Sequence, residues 1–217
     1  MFSIILASNS PRRRQMLAWL VDAFTCQSPN VDETPLEGES PAEYVQRLAN
    51  TKAHTITVVE GASAMVIGAD TIVVHQNRLL GKPSTPDEAR AMLSTLRGNQ
   101  HQVMTAVTVL AAKQQVDQLC ISDVRMRAYS DADMESYIAS GDPLDKAGAY
   151  AIQHNGFRPV EGFGGCMASV MGLPLCHLAR ALRAAGLPSA NPAPRCREEL
   201  DYHCPIWQKV MNGETAG

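Results

Sequence analysis

The chain has 217 residues, 45% hydrophobic and 19% charged, a balance that supports a sizeable folded core and argues against a disordered chain. Its net charge of −3 and pI near 6.1 argue against a general binder of nucleic acid or acidic membrane, which would need a basic excess. The opening apolar run is six residues long and is followed, not preceded, by arginines, so it fits neither a signal peptide nor a membrane span, and the expected location is cytoplasmic.

Residues 2–7 read as a buried strand, and Ser10-Pro11 opens a helix with an N-cap and a proline suited to its first turn. Arg12, Arg13 and Arg14 then fall in that first turn. Each cation at the positive end of a helix typically costs roughly 0.3–1 kcal/mol unless an anion offsets it. With the hydroxyls of Ser8 and Ser10 beside them, the arginines point to a bound anion, phosphate by expectation. Successive residues turn by about 100°, so at most two arginines can face one ligand and the third is solvated. On this reading, removing Arg13 weakens ligand binding yet slightly stabilises the empty protein.

Residues 24–28 read as a short strand and 29–35 as a loop carrying Asp32 and Glu33. Ser40-Pro41-Ala42-Glu43 is a capping box. The helix it opens has Val45, Leu48 and Ala49 on its apolar face, and Lys52 shares that face, so it must snorkel or meet an anion. Residues 65–74 are almost continuously apolar, as in a central strand covered on both faces. Asp70 interrupts the run. A buried carboxylate there needs a metal, a cation or an open cleft, and Gly68, two residues earlier on the same face, leaves room for a ligand.

Gly81-Lys82-Pro83 reads as a tight loop presenting one ammonium, and a capped helix follows from Thr85 to Gly98. Two antiparallel strands are expected near 103–112 and 116–129, then a short helix at 131–139. Residues 142–153 read as a shaped loop and short strand lining a pocket, 162–165 as a glycine-rich stretch, 166–170 as a strand, and 174–186 as the last helix. The six cysteines are scattered without a C-x-x-C pair and are expected to be reduced thiols. Cys196, His203 and Cys204 have soft ligand types but lack the spacing of a zinc module.

Leu6-Ala7-Ser8-Asn9-Ser10-Pro11-Arg12-Arg13, Gly68-Ala69-Asp70-Thr71, Gly81-Lys82-Pro83 and Asp145-Lys146-Ala147-Gly148, in this order, resemble the Maf family of nucleoside triphosphate pyrophosphatases. The resemblance covers about residues 2–186. It implies an α/β fold with an elongated mixed β-sheet flanked by helices, two lobes and a central cleft, similar to inosine triphosphatase. The pyrophosphatase domain would span 1–187, with an irregular proline- and cysteine-containing tail at 188–217.

The resemblance also implies a homodimer that uses a divalent metal cation, Mg2+ or Mn2+, and water to split a nucleoside triphosphate into monophosphate and pyrophosphate, with no nucleic acid or membrane partner. It assigns Ser8, Arg12 and Arg13 to the phosphates, Glu33 and Asp70 to the metal and water, and Lys52 and Lys82 to the polyphosphate. Asp70, Glu33, Lys52 and Lys82 form the catalytic set. Arg12, Thr71 and Gln153 match the branch acting on dTTP and UTP. The loop 154–163 departs from the glycine-rich link usual in that branch. The alternatives are a house-cleaning hydrolase of modified nucleotides and a non-catalytic nucleotide-binding regulator of cell division. The regulator would not need Asp70.

Overall fold

The structure, a computed structural model, describes residues 3–58, 64–111, 114–214 and 216. The chain opens with β1 (Ser3–Ala7), α1 (Pro11–Leu17), β2 (Thr25–Gln27) and α2 (Pro41–His54). A hairpin of β3 (Ala64–His75) and β4 (Arg78–Leu80) follows, then α3 (Pro86–Leu96), β5 (Gln100–Ala111), β6 (Gln114–Met126) and α4 (Asp131–Ala139). Two 3-10 turns, Asp142–Asp145 and Ala147–Ala149, lead to β7 (Val160–Phe163), α5 (Met167–Val170), α6 (Leu175–Ala184), α7 (Ala193–Leu200) and α8 (Trp207–Met211).

The seven strands form one mixed sheet in the order β2-β1-β3-β5-β6-β7, with β4 paired to β3. β1 runs parallel to β2 and β3, and the remaining pairs are antiparallel. β3 and β5 have 12 residues each, about 40 Å at the usual rise per residue. That length lets the same strands carry two cores. One packs Ile67, Ala69 and Val107 against Met16 of α1 and Leu178 and Leu182 of α6. The other packs Val73, Val103 and Met126 against Leu93 of α3 and Tyr137 of α4. Alternation then sends Ile72 and Val74 to the opposite face, against Val45 and Ala49 of α2. Among the described residues no helix is long and apolar enough to cross a membrane.

Several local expectations are corrected. Residues 166–170 are the helix α5 with its N-cap, not a strand; the strand is β7, inside the segment read as loop. The 142–153 segment forms 3-10 turns and no strand. Gly68 makes room for a helix, not a ligand: a Cβ there would lie 2.2 Å from the Ala49 carbonyl oxygen and 2.8 Å from the Ala53 nitrogen. The tail is not wholly irregular, since α7 has a proline in its first turn and an Arg195–Glu199 ion pair at i,i+4.

Candidate active site

A cavity of about 820 Å³ opens between the two cores. It is lined by Ser8, Arg12, Arg13, Glu33, Lys52, Asp70, Thr71, Lys82 and Gln153, so every residue singled out for the site meets there. The end of β1 supplies Ser8, α1 the arginines, α2 Lys52, and the middle of β3 Asp70 and Thr71. Glu33 comes from the loop before α2. That loop is tied down by Tyr44, whose hydroxyl donates to the Glu33 carbonyl (2.7 Å), and by Arg47, which donates to the Thr34 carbonyl (3.1 Å) and to Glu39.

At the cavity floor, Asp70 and Lys52 are both buried. The Lys52 ammonium lies 2.6 Å from Asp70 Oδ1 and 2.6 Å from Glu33 Oε1. The residue that the helix pattern forced inward therefore meets the carboxylate that the strand pattern forced inward. Burial pushes the Glu33 carboxyl up, but the Lys52 hydrogen bond and charge, helped by Lys82 and Arg13, outweigh it and hold the group below the usual range.

The three arginines separate by role. Arg14 is exposed. Arg13 is committed to the protein: Nε donates to the Gly172 carbonyl (2.8 Å), Nη1 to the Ala69 carbonyl (2.8 Å) and Nη2 to Thr71 Oγ1 (3.0 Å). Gly172 stands at φ +113°, a backbone conformation that residues with a Cβ rarely adopt, so glycine is suited to present this carbonyl. The chain continues through Thr105 Oγ1, 3.0 Å from Thr71 Oγ1 and 2.8 Å from the Ser169 carbonyl. A hydroxyl has one proton, so all contacts are satisfied when Thr105 donates to Ser169 and Thr71 donates to Thr105. The expectation that Arg13 is an unrelieved cation in the empty protein is thus corrected. Arg12 and Lys82 are in no ion pair among the described residues and line the cavity.

Lys146, which sequence reasoning quoted in a motif without a role, also lines the cavity. Its ammonium donates to the Asp142 carbonyl (2.6 Å) and to the carboxylates of Asp142 (3.0 Å) and Asp145 (2.5 Å). The signal available was a lysine flanked by carboxylates one and four residues earlier. Gly148 N–H donates to the Gly81 carbonyl (3.0 Å), which joins this turn to the loop that bears Lys82. Gln153 follows on the cavity rim, with an exposed side chain. Among the described residues no group of three or more His, Cys, Asp or Glu side chains is arranged to hold a metal.

Comparison with known proteins adds three findings. The family described as "Maf-like protein" matches residues 3–185. A Thermomicrobium roseum protein named dTTP/UTP pyrophosphatase is 40% identical over 215 residues, 99% of this chain and 98% of its own, so the alignment includes the C-terminal tail. A Myxococcus xanthus protein of the same name is 45% identical over 185 residues, 85% of this chain and 93% of its own.

Proposed function

This chain belongs to the Maf-like protein family, and from that premise we propose that its cavity hydrolyses nucleoside triphosphates to the monophosphate and pyrophosphate, with dTTP and UTP preferred. The observation that carries the reading is the convergence of Asp70 and Glu33 on one ammonium, at the floor of a cavity that also presents Arg12 and Lys82. A phosphate binder needs only the cations. A buried Asp70 and a more exposed Glu33 sharing one ammonium suit chemistry more than phosphate binding, which disfavours the non-catalytic regulator.

Magnesium binds oxygen ligands, keeps several waters and usually takes one or two carboxylates plus substrate phosphate. Asp70 and Glu33 fit that donor set, because both place an oxygen within 2.6 Å of a single point that already holds a positive charge. When bound, a divalent metal would supply charge neutralisation and an acidified water.

The protein's own groups account for the rest. Asp70, fixed on a central strand, orients the attacking water through its carboxylate, since phosphoryl chemistry depends on placement and charge more than on a strong base. Lys52 holds Asp70 and Glu33 together with two of its three protons and offers the third to a phosphate oxygen. Arg12 and Lys82 receive the polyphosphate, the first as a planar fork and the second as a movable point charge. Ser8, whose Oγ accepts from Ser10 N–H at 3.1 Å, has its proton free for a phosphate. Arg13 and Thr71 act as positioning residues that fix the wall beside Asp70. Gln153 on the rim offers a donor and an acceptor in one amide, matching the thymine or uracil edge, where an N–H stands between two carbonyls.

The test is a panel of the standard triphosphates with Mg2+ or Mn2+, reading pyrophosphate release and kcat/KM. The expected result is release of pyrophosphate, not single phosphates, with dTTP and UTP ahead of ATP and GTP by about tenfold, the scale of one net hydrogen bond. Equal values for dTTP and GTP would remove the base preference. No pyrophosphate from any member, including modified nucleotides, would remove the enzyme reading.

A further inference from the structure

The C-terminal segment packs back on the body of the protein, with Arg180 of α6 donating to the Val210 and Glu214 carbonyls (3.3 Å each), and a second attachment lies at Tyr202. The Tyr202 hydroxyl donates to the Gly165 carbonyl (3.1 Å), and its ring packs on Phe163 with centroids 5.5 Å apart. Two residues later the Cys204 thiol lies 3.8 Å from the same Gly165 carbonyl oxygen. Cys166, Cys176, Cys196 and Cys204 then line a single cavity of about 310 Å³ that shares no lining residue with the active-site cavity. Cys204 sulfur thus lies against the residue that precedes Cys166, on the wall of the cavity they share. Four cysteines scattered from 166 to 204 in sequence therefore share one cavity, with Cys204 nearest the start of α5 through its contact with Gly165.

Cys120, Cys166 and Cys204 differ in access and charge. Cys120 and Cys166 are buried, whereas Cys204 is partly exposed. The Cys204 thiol is pulled down to about 7 by the Cys166 hydrogen bond, against burial, with further help from the N–H groups of Ile206 and Trp207. The Cys166 thiol is pushed up by its two thiol neighbours and by burial. The Cys120 thiol is also pulled down, to about 5, but it is buried, so the partly exposed Cys204 suits the attacking role and the buried Cys166 the resolving one.

We propose that Cys204 and Cys166 form a reversible disulfide when the protein meets a peroxide, stapling the C-terminal segment to the residue that begins α5. The Cys204 thiolate attacks one peroxide oxygen. The O–O bond breaks, hydroxide leaves and is protonated to water, and Cys204 becomes a sulfenic acid. Cys166 sulfur then attacks Cys204 sulfur; the S–O bond breaks, the S–S bond forms, and a second water leaves with the Cys166 proton. Two thiols are oxidised and one peroxide is reduced to two waters. A dithiol reductant reverses the step by exchange. The staple reaches the active site through one short helix, because α5 carries Ser169, whose carbonyl accepts from Thr105, and ends just before Gly172, whose carbonyl accepts from Arg13.

The experiment treats the full-length protein with stoichiometric hydrogen peroxide, maps non-reduced peptides by mass spectrometry, and records thermal melting before and after dithiothreitol. Expected are a Cys166–Cys204 linked peptide pair and a rise in Tm of roughly 5–10 °C, the effect of closing a loop of about 38 residues in a chain this size. Both should reverse on reduction. Cys26→Ser, at an exposed position, should keep both effects, and Cys204→Ser should lose both. The peptide map of the wild-type protein is decisive whatever the stability of the variants. A Cys120–Cys166 pair, oxidation of Cys204 beyond sulfenic acid without a link, or a linked protein with unchanged Tm would overturn the proposal.

Discussion

Replacing Arg13 by alanine separates two physical accounts of the same residue. The helix-end argument alone makes the arginine a strain, worth roughly 0.3–1 kcal/mol, that the empty protein sheds on mutation. The structure gives it three protein acceptors, Gly172 and Ala69 carbonyls and Thr71 Oγ1. Hydrogen bonds to a charged group contribute about 1.5–3 kcal/mol each, but the carbonyls stand at a cavity wall where water replaces part of the loss. After the helix-end relief is set against this, Arg13→Ala is expected to destabilise by about 2–4 kcal/mol. For a chain of this length that is a fall in Tm of about 4–9 °C. Arg13→Lys should lose most of the same amount, since one ammonium cannot span the three acceptors of the fork. Arg12→Ala is the contrast: Tm should stay within about 1 °C while KM for the triphosphate rises about 10- to 100-fold, the scale of one charge-assisted bond. Melting curves without ligand decide the matter. A Tm for Arg13→Ala equal to or above wild type would refute the structural role.

Asp70→Asn should keep triphosphate affinity within a few-fold while turnover falls by about 10²–10⁴, because binding rests on the cations and placement of water on the carboxylate; near-normal turnover would remove Asp70 from the mechanism. Gln153→Glu, which can only accept hydrogen bonds, should reduce the kcat/KM ratio of dTTP to GTP by about tenfold with a smaller loss for GTP itself. His101 is buried with Nε2 2.7 Å from the Tyr150 hydroxyl, and burial pulls its pKa down from the usual 6.5 to about 4. The unfolded chain therefore binds the proton first, so stability falls as pH drops from about 6.5 to about 4, by about 3 kcal/mol in all. In His101→Gln that part of the pH dependence of urea unfolding should vanish, and an unchanged slope would show that His101 is not its source.

The site was legible because its residues are violations of local pattern. Lys52 on an apolar helix face and Asp70 within an apolar strand each demanded a partner, and the fold makes them partners of one another. What remained hidden was set by packing between distant segments. Nothing near Gly68 in sequence announces that α2 presses on it, and nothing near Arg13 announces the carbonyl of Gly172. The exchange of strand and helix between 160 and 170 has a different cause. The five residues 166–170 are too short a stretch to show a period, and Val160-Glu161-Gly162-Phe163 looks like loop because its glycine lowers strand propensity. The prolines of the tail read as breaks, although Pro194 stands in the first turn of a helix where proline is suited.

β3 and β5 pair residue for residue from Met65 opposite Ala111 to Val74 opposite Gln102, and Asp70 lies inside that ladder opposite Ala106. Both walls of the cleft thus grow from the same uninterrupted spine. Jaw-like closure would strain the ladder, so Asp70 is held as in a fixed mould, and adaptation to the incoming nucleotide belongs to the rim carrying Gln153. Rim and floor are then separable modules: grafting a different rim should redirect the enzyme to another base without retuning the bond-breaking machinery beneath it.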